Sequence, residues 1–132
     1  MAERRITALL CENSAWKAYL DAASAGAADS ALGRIDPVKL PCSGKAEVGL
    51  ILKILEQGSA GVLVLGCPKD NCTFIRGNYR AEKRIGAARA ALREAGWDEN
   101  VVRLDFISSL DGHRLLDIVG SFERYIDDHS SP

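Results

Sequence analysis

Residues 60–66, AGVLVLG, form an unbroken apolar run with Gly58-Ser59 before it and Cys67-Pro68 after it. A run this short and this apolar predicts a strand covered on both faces, as in a parallel sheet sandwiched between helices. Such a strand needs helices on either side of it in the sequence, and they are there. Residues 46–57 (AEVGLILKILEQ) put Val48, Ile51, Leu52 and Leu55 on one helical face and stop at Gly58. Residues 79–96 give a long helix ending at Gly96, with Ile85, Ala88 and Leu92 opposite its charged side.

The alternation extends to both ends. RITALLC (5–11) reads as a buried strand, and residues 14–25 as a helix with Ser14 as N-cap. DPVKLPC (36–42) gives a short second strand and VVRLDFI (101–107) a fourth. Ser108 or Ser109 caps a last helix, with Leu115, Ile118, Val119, Phe122 and Ile126 inward. Four strands alternating with four helices predict an α/β fold, a single-domain flavodoxin-like parallel sheet with helices on both faces joined by right-handed crossovers. The expected strand order is 2-1-3-4. At 132 residues the chain is long enough for one core. Residues 1–132 are expected to be one domain, with 126–132 a frayed tail. The small faces Ala15, Ala18, Ala22 and Ala87, Ala88, Ala91 suit close packing inside the domain.

Composition removes several function classes. The net charge is −1 with Lys and Arg scattered, and 6% of residues are aromatic, so neither a basic stripe nor a base-stacking platform points to nucleic acid. The apolar stretch 48–67 is interrupted by Lys53, Glu56, Gln57, Gly58 and Ser59, so no membrane insertion is expected. No secretory signal is visible in MAERRITALLCENS, and the expected compartment is cytoplasmic. Thiols stay reduced there, which favours metal-binding or redox cysteines over structural disulfides.

The four cysteines then fall at related places. Cys11, Cys42 and Cys67 end the first three predicted strands, and Cys72 follows in the next loop. In a parallel sheet of order 2-1-3-4 those ends share one edge, about 4.8 Å apart from strand to strand. That edge is where open α/β sheets bind ligands. A buried cysteine is usually a small hydrophobe, but four at one edge and none elsewhere is a poor fit to that explanation. Helix N-termini at the same edge favour thiolate. Four thiolates suit Zn²⁺, [2Fe–2S] or [4Fe–4S]. Structural zinc sites usually have two tight cysteine pairs, whereas only Cys67 and Cys72 are close here, so the spacing leans toward iron–sulfur. The turn-rich stretches around Cys42-Ser43-Gly44 and GCPKDNC can aim N–H groups at sulfur. Lys45, Lys69 and Arg76 can balance its charge or be ordinary surface residues.

Cys42-Ser43-Gly44, the strand GVLVLGC with C-x4-C, then Gly77-Asn78-Tyr79, Arg84 and Ile107-Ser108-Ser109 together resemble the delta subunit of methyl-viologen-reducing hydrogenase, the hydrogenase iron–sulfur subunit family. The likeness covers nearly the whole chain. It implies an electron-transfer subunit with one [2Fe–2S] cluster, ligated by Cys11, Cys42, Cys67 and Cys72. It implies partners in a redox complex: a hydrogenase or formate dehydrogenase on one side, a heterodisulfide-reductase-like flavoprotein on the other. Archaeal members commonly read C-N-W-C after the first strand. This chain reads Cys11-Glu12-Asn13-Ser14, closer to bacterial relatives found beside methylenetetrahydrofolate reductases or corrinoid methyltransferases.

Two other functions compete. One is a structural zinc-binding interaction module. The other is a thiol–disulfide protein using Cys67 and Cys72, although C-x4-C is wider than the usual C-x-x-C and leaves Cys11 and Cys42 unused. An FMN-binding flavodoxin is disfavoured because CENSAWK has no glycine for a phosphate loop. His113 and His129 have no sequence partner and are expected at the surface.

Overall fold

A computed structural model of the chain describes residues 5–27, 32–41, 46–67 and 77–129. In chain order they form β1 (Ile6–Cys11), α1 (Ala15–Ala22), β2 (Ile35–Leu40), α2 (Val48–Glu56), β3 (Gly61–Gly66), α3 (Gly77–Glu94), β4 (Val102–Phe106) and α4 (Gly112–His129). The four strands make one parallel sheet of order β2-β1-β3-β4. This is the flavodoxin-like α/β arrangement expected from the alternation.

The helices divide between the two faces as the two-residue period of the strands dictates. Ile6, Ala8 and Leu10 of β1, with Leu63 and Leu65 of β3, pack under α1 and α4. Leu9, Val62, Val64 and Val102 pack under α2 and α3. β3 lies between β1 and β4 and is buried at all six positions, which explains its lack of polar residues. Each of its leucines and valines contributes about 1.5–3 kcal/mol by leaving water. β2 is an edge strand, so Pro37 costs no bond to a second neighbour. The strand ends at Leu40, short of the expected residue 42, because Pro41 offers no N–H to continue the ladder.

α4 seals the first face with Leu115, Ile118, Val119, Phe122 and Ile126, the five residues its periodicity selects. Gly61 makes that packing possible. A Cβ there would lie 2.9 Å from Phe122 Cζ and 2.9 Å from Ile126 Cδ1. The frayed tail expected from 126 is corrected for residues 126–129, which are the last turn of α4. Ile126 is buried, and Arg34 donates to Asp127 Oδ2 at 2.9 Å and Oδ1 at 3.0 Å. Residues 130–132 lie outside the described part.

α1 is shorter than expected. It gives way after Ala22 to a wider turn over Ala23–Ala27, in which Gly26 takes φ 101°, a conformation that suits glycine. α3 starts at Gly77, two residues earlier than the periodicity indicates. Neither Ser108 nor Ser109 is the final cap of α4, which starts at Gly112. Asp111 accepts the first helical bond, from the Leu115 N–H at 2.9 Å, and its carboxylate accepts from the Ser108 N–H at 3.2 Å. The Ser108 hydroxyl accepts from the Leu110 N–H at 3.3 Å, so this serine closes the turn before the helix.

Candidate functional site

The carboxyl ends of β1, β2, β3 and β4 open on one rim. β1 carries Cys11 to it as its last residue, paired in register with Leu40 of β2. On the other side, Leu10 pairs with Leu65, which places Cys11 level with Gly66, a residue that adds no side chain beside it. Cys67 follows Gly66 directly. Cys11 is 2% exposed and Cys67 4%. The two thiols therefore belong to adjacent strand ends, as expected, and both are shielded from water. Cys42 lies two residues past the end of β2, and Cys72 five past Cys67. Both fall outside the described residues, as do Lys45, Lys69 and Arg76. Among the described residues no group of three or more His, Cys, Asp or Glu side chains gathers to hold a metal.

The turn after β1 brings a third group to the rim. The Ser14 N–H donates to the Cys11 carbonyl at 3.2 Å, closing a turn over residues 11–14. The Ser14 carbonyl accepts from the Ala18 N–H at 3.0 Å, so Ser14 holds the N-cap position by its backbone. Its hydroxyl does not cap. It makes no side-chain hydrogen bond to the helix, and Ser14 Oγ is the one buried side-chain polar atom without a partner among the described residues. The sequence identifies the cap residue but not this orphaned hydroxyl. Buried polar groups are nearly always hydrogen-bonded, so this unpartnered hydroxyl is an exception in the fold.

Several other polar groups described on this rim are paired. Arg114 donates to the Phe106 carbonyl at 2.7 Å and to Asp105 Oδ1 at 3.1 Å, pinning α4 to the end of β4. Lys39 lies 5.7 Å from the centre of the Trp16 ring and 3.9 Å from Glu12. Leu110, in the connection from β4 to α4, is 88% exposed.

The opposite rim has an open groove of about 730 Å³, lined in part by Arg5, Asp36, Trp97, Asp98, Tyr125 and His129. Sequence reasoning does not find it, because its walls come from five separate segments. The Tyr125 hydroxyl donates to Asp98 Oδ2 at 2.7 Å. Burial acts to raise the Asp98 pKa, but the Tyr125 hydroxyl and the Asn100 N–H together hold it below its ordinary 3.8. The hydrogen bond to Asp98 raises the Tyr125 phenol in turn. His129 stacks on Tyr125 with ring centres 3.9 Å apart. Both histidines are exposed, as expected.

Fold and rim together define a class: a parallel α/β domain presenting buried thiols at the carboxyl ends of adjacent strands. Residues 6–128 match the family model described as methyl-viologen-reducing hydrogenase, delta subunit, and the chain belongs to that family. It is 32% identical over 127 residues to the iron-sulfur subunit of the F420-non-reducing hydrogenase of Archaeoglobus profundus, covering 96% of this chain and 93% of the relative. It is 29% identical over 126 residues to an F420-non-reducing hydrogenase iron-sulfur subunit from Methanococcus voltae, covering 90% of this chain and 87% of the relative. A third relative is one subunit of the ferredoxin/F420H2-dependent CoB-CoM heterodisulfide reductase of Methanosarcina acetivorans, 31% identical over 91 residues. That match covers 69% of this chain and 12% of the much longer relative.

Proposed function

We propose that this chain is a non-catalytic electron-transfer subunit of a redox complex, with one [2Fe–2S] cluster held by Cys11, Cys42, Cys67 and Cys72. The observation that carries the proposal is the placement of Cys11 and Cys67, buried at adjacent carboxyl ends of one parallel sheet. Cys42 and Cys72 follow β2 and β3 closely enough in sequence to reach the same rim. The donor set fits the group: soft thiolate ligands suit iron–sulfur clusters. The orphaned Ser14 hydroxyl also leaves a hydrogen-bond donor for a sulfur there.

When bound, the cluster supplies one-electron transfer. The chain's own residues hold it, exclude water from it and set its surroundings. Cys11 and Cys67 are fixed by strands whose positions the core determines. Both cysteines are buried, which keeps bulk water from them. The turn over residues 11–14 ties the backbone of Ser14 to that of Cys11.

The partners proposed are a hydrogenase or related dehydrogenase and a heterodisulfide-reductase-like flavoprotein, in the cytoplasm. Two relatives bear the name hydrogenase iron-sulfur subunit. A stretch similar to this chain also lies within a heterodisulfide reductase polypeptide, which supports a separate chain doing the same work beside such a polypeptide. Exposed Leu110 offers an apolar contact on the cysteine rim. Among the described residues no helix is long and apolar enough to cross a membrane.

Anaerobic purification followed by visible spectroscopy and assays for iron, sulfide and zinc tests this reading. A reddish-brown, reducible protein with equal iron and acid-labile sulfide is expected. A colourless protein with zinc would establish the interaction module instead. A colourless, metal-free protein that cycles between dithiol and disulfide would establish the thiol–disulfide alternative.

A further inference from the structure

Ser14 is 3% exposed, and its Oγ has no hydrogen-bond partner among the described residues. A hydroxyl buried in this way loses its bonds to water and gains nothing in return. The local backbone offers it an obvious use, since it stands at the N-cap of α1 and its carbonyl already accepts from Ala18. Serine is favoured at that position because its oxygen accepts an N–H from the first turn. Here φ −139° and ψ −79° depart from the usual cap geometry, and no such bond forms. The residue is therefore held by its backbone while its side chain is left for another acceptor. The same turn ties Ser14 to Cys11 through the 3.2 Å bond from the Ser14 N–H to the Cys11 carbonyl.

We infer that Ser14 donates its hydroxyl hydrogen to a sulfur of the group held at this rim, and thereby raises that group's reduction potential. The inference rests on the function proposed above. A hydroxyl carries one donor hydrogen, and thiolate or sulfide sulfur is the anionic acceptor that the cysteines bring to the rim. Hydrogen bonds to sulfur are among the protein's controls over cluster potential. A donor stabilises the more negative, reduced state more than the oxidised one, so the potential rises. The hydroxyl keeps its proton in both states. Ser14 is a positioning and tuning residue in this scheme, and it ligates no iron.

Three proteins test it: the wild type, S14A and S14T, each purified anaerobically and titrated with dithionite under EPR and visible detection. S14A is expected to retain iron at the wild-type ratio, and its midpoint potential is expected to shift downward. S14T keeps a hydroxyl and is expected to stay near the wild-type potential. The metal-free proteins give an independent readout. With no sulfur acceptor in place the Ser14 hydroxyl is a liability, so metal-free S14A is expected to melt at a higher temperature than metal-free wild type. That gain is expected to shrink or reverse once iron is bound. An iron-loaded S14A with unchanged potential overturns this inference alone and leaves the proposed function standing. A folded S14A that no longer holds iron overturns it too, in favour of direct ligation by the serine. A wild-type protein without iron overturns both.

Discussion

The two rims of the sheet handle polar groups differently. At the amino rim, Arg5 pairs with Asp36 at 2.9 Å, Arg34 with Asp127 at 2.9 Å, and the Tyr125 hydroxyl with Asp98 at 2.7 Å. The Thr7 and Ser59 hydroxyls lie 3.1 Å apart, and Ser59 also donates to the Gly61 carbonyl at 2.8 Å. At the carboxyl rim, beside Cys11, the Ser14 hydroxyl is buried without a partner among the described residues. The fold gains from the first arrangement and loses from the second. A rim that satisfies its own polar groups can serve as scaffold. A rim that buries thiols and strands a hydroxyl is instead the candidate site.

If the carboxyl rim is the site and the amino rim the scaffold, substitutions should separate cofactor retention from stability. The largest effect belongs to Cys11→Ala or Cys67→Ala. Each is expected to abolish the visible chromophore and bound iron, measured by absorbance and iron assay, while far-ultraviolet circular dichroism still reports a folded α/β protein. Retention of full iron by both variants would break the comparison.

Gly61→Ala at the amino rim is expected to do the reverse. The added methyl meets Phe122 and Ile126 at 2.9 Å, and overpacking of this kind costs about 1–3 kcal/mol. Urea unfolding should show the loss, with the iron ratio of the folded fraction unchanged. Ser14→Ala should stabilise the metal-free protein by roughly 1 kcal/mol, the order of the cost of a stranded hydroxyl, read as a higher urea midpoint at constant slope.

Tyr125→Phe is expected to have the smallest effect, a few tenths of a kcal/mol at about neutral pH, because the pair it breaks is exposed. Its sign follows from linkage. The Asp98 pKa is lower in the folded protein than the ordinary 3.8, so the folded state binds fewer protons than the unfolded one in that range. The stabilisation is present above 3.8 and is lost as pH falls through the folded value. Tyr125→Phe should therefore flatten the stability profile on the acid side and leave the midpoint potential unchanged. A shifted potential would mean that the two rims are coupled.

Much of the scaffold is legible without coordinates. AGVLVLG has to be a central strand because nothing in it tolerates water, and β3 is buried throughout. The inward face of α4 is legible at all five positions because a 3.6-residue period admits one apolar stripe. Element ends are less legible. Pro41 truncates β2, and the Arg34 pair with Asp127 extends α4 past the point where the sequence suggests fraying. The first effect is local and readable from the chain. The second depends on a residue 93 positions away. Of the site, the sequence brings out the cysteines and their common edge. The structure bears on Cys11 and Cys67, since Cys42 and Cys72 lie outside the described residues.

The amino-acid sequence by itself determined the alternation of strands and helices, the strand order it implies, and the place of Cys11 and Cys67 at the ends of β1 and β3. Those properties depend on periodicity and on the handedness of the crossovers, which act between neighbouring elements. Only the tertiary structure decided that Ser14 is sealed from water with its hydroxyl unpartnered among the described residues, and that Tyr125, Asp98 and His129 meet at the far rim. Burial and partnership are properties of surfaces brought together from distant parts of the chain, and no local pattern of residues encodes what those surfaces will cover.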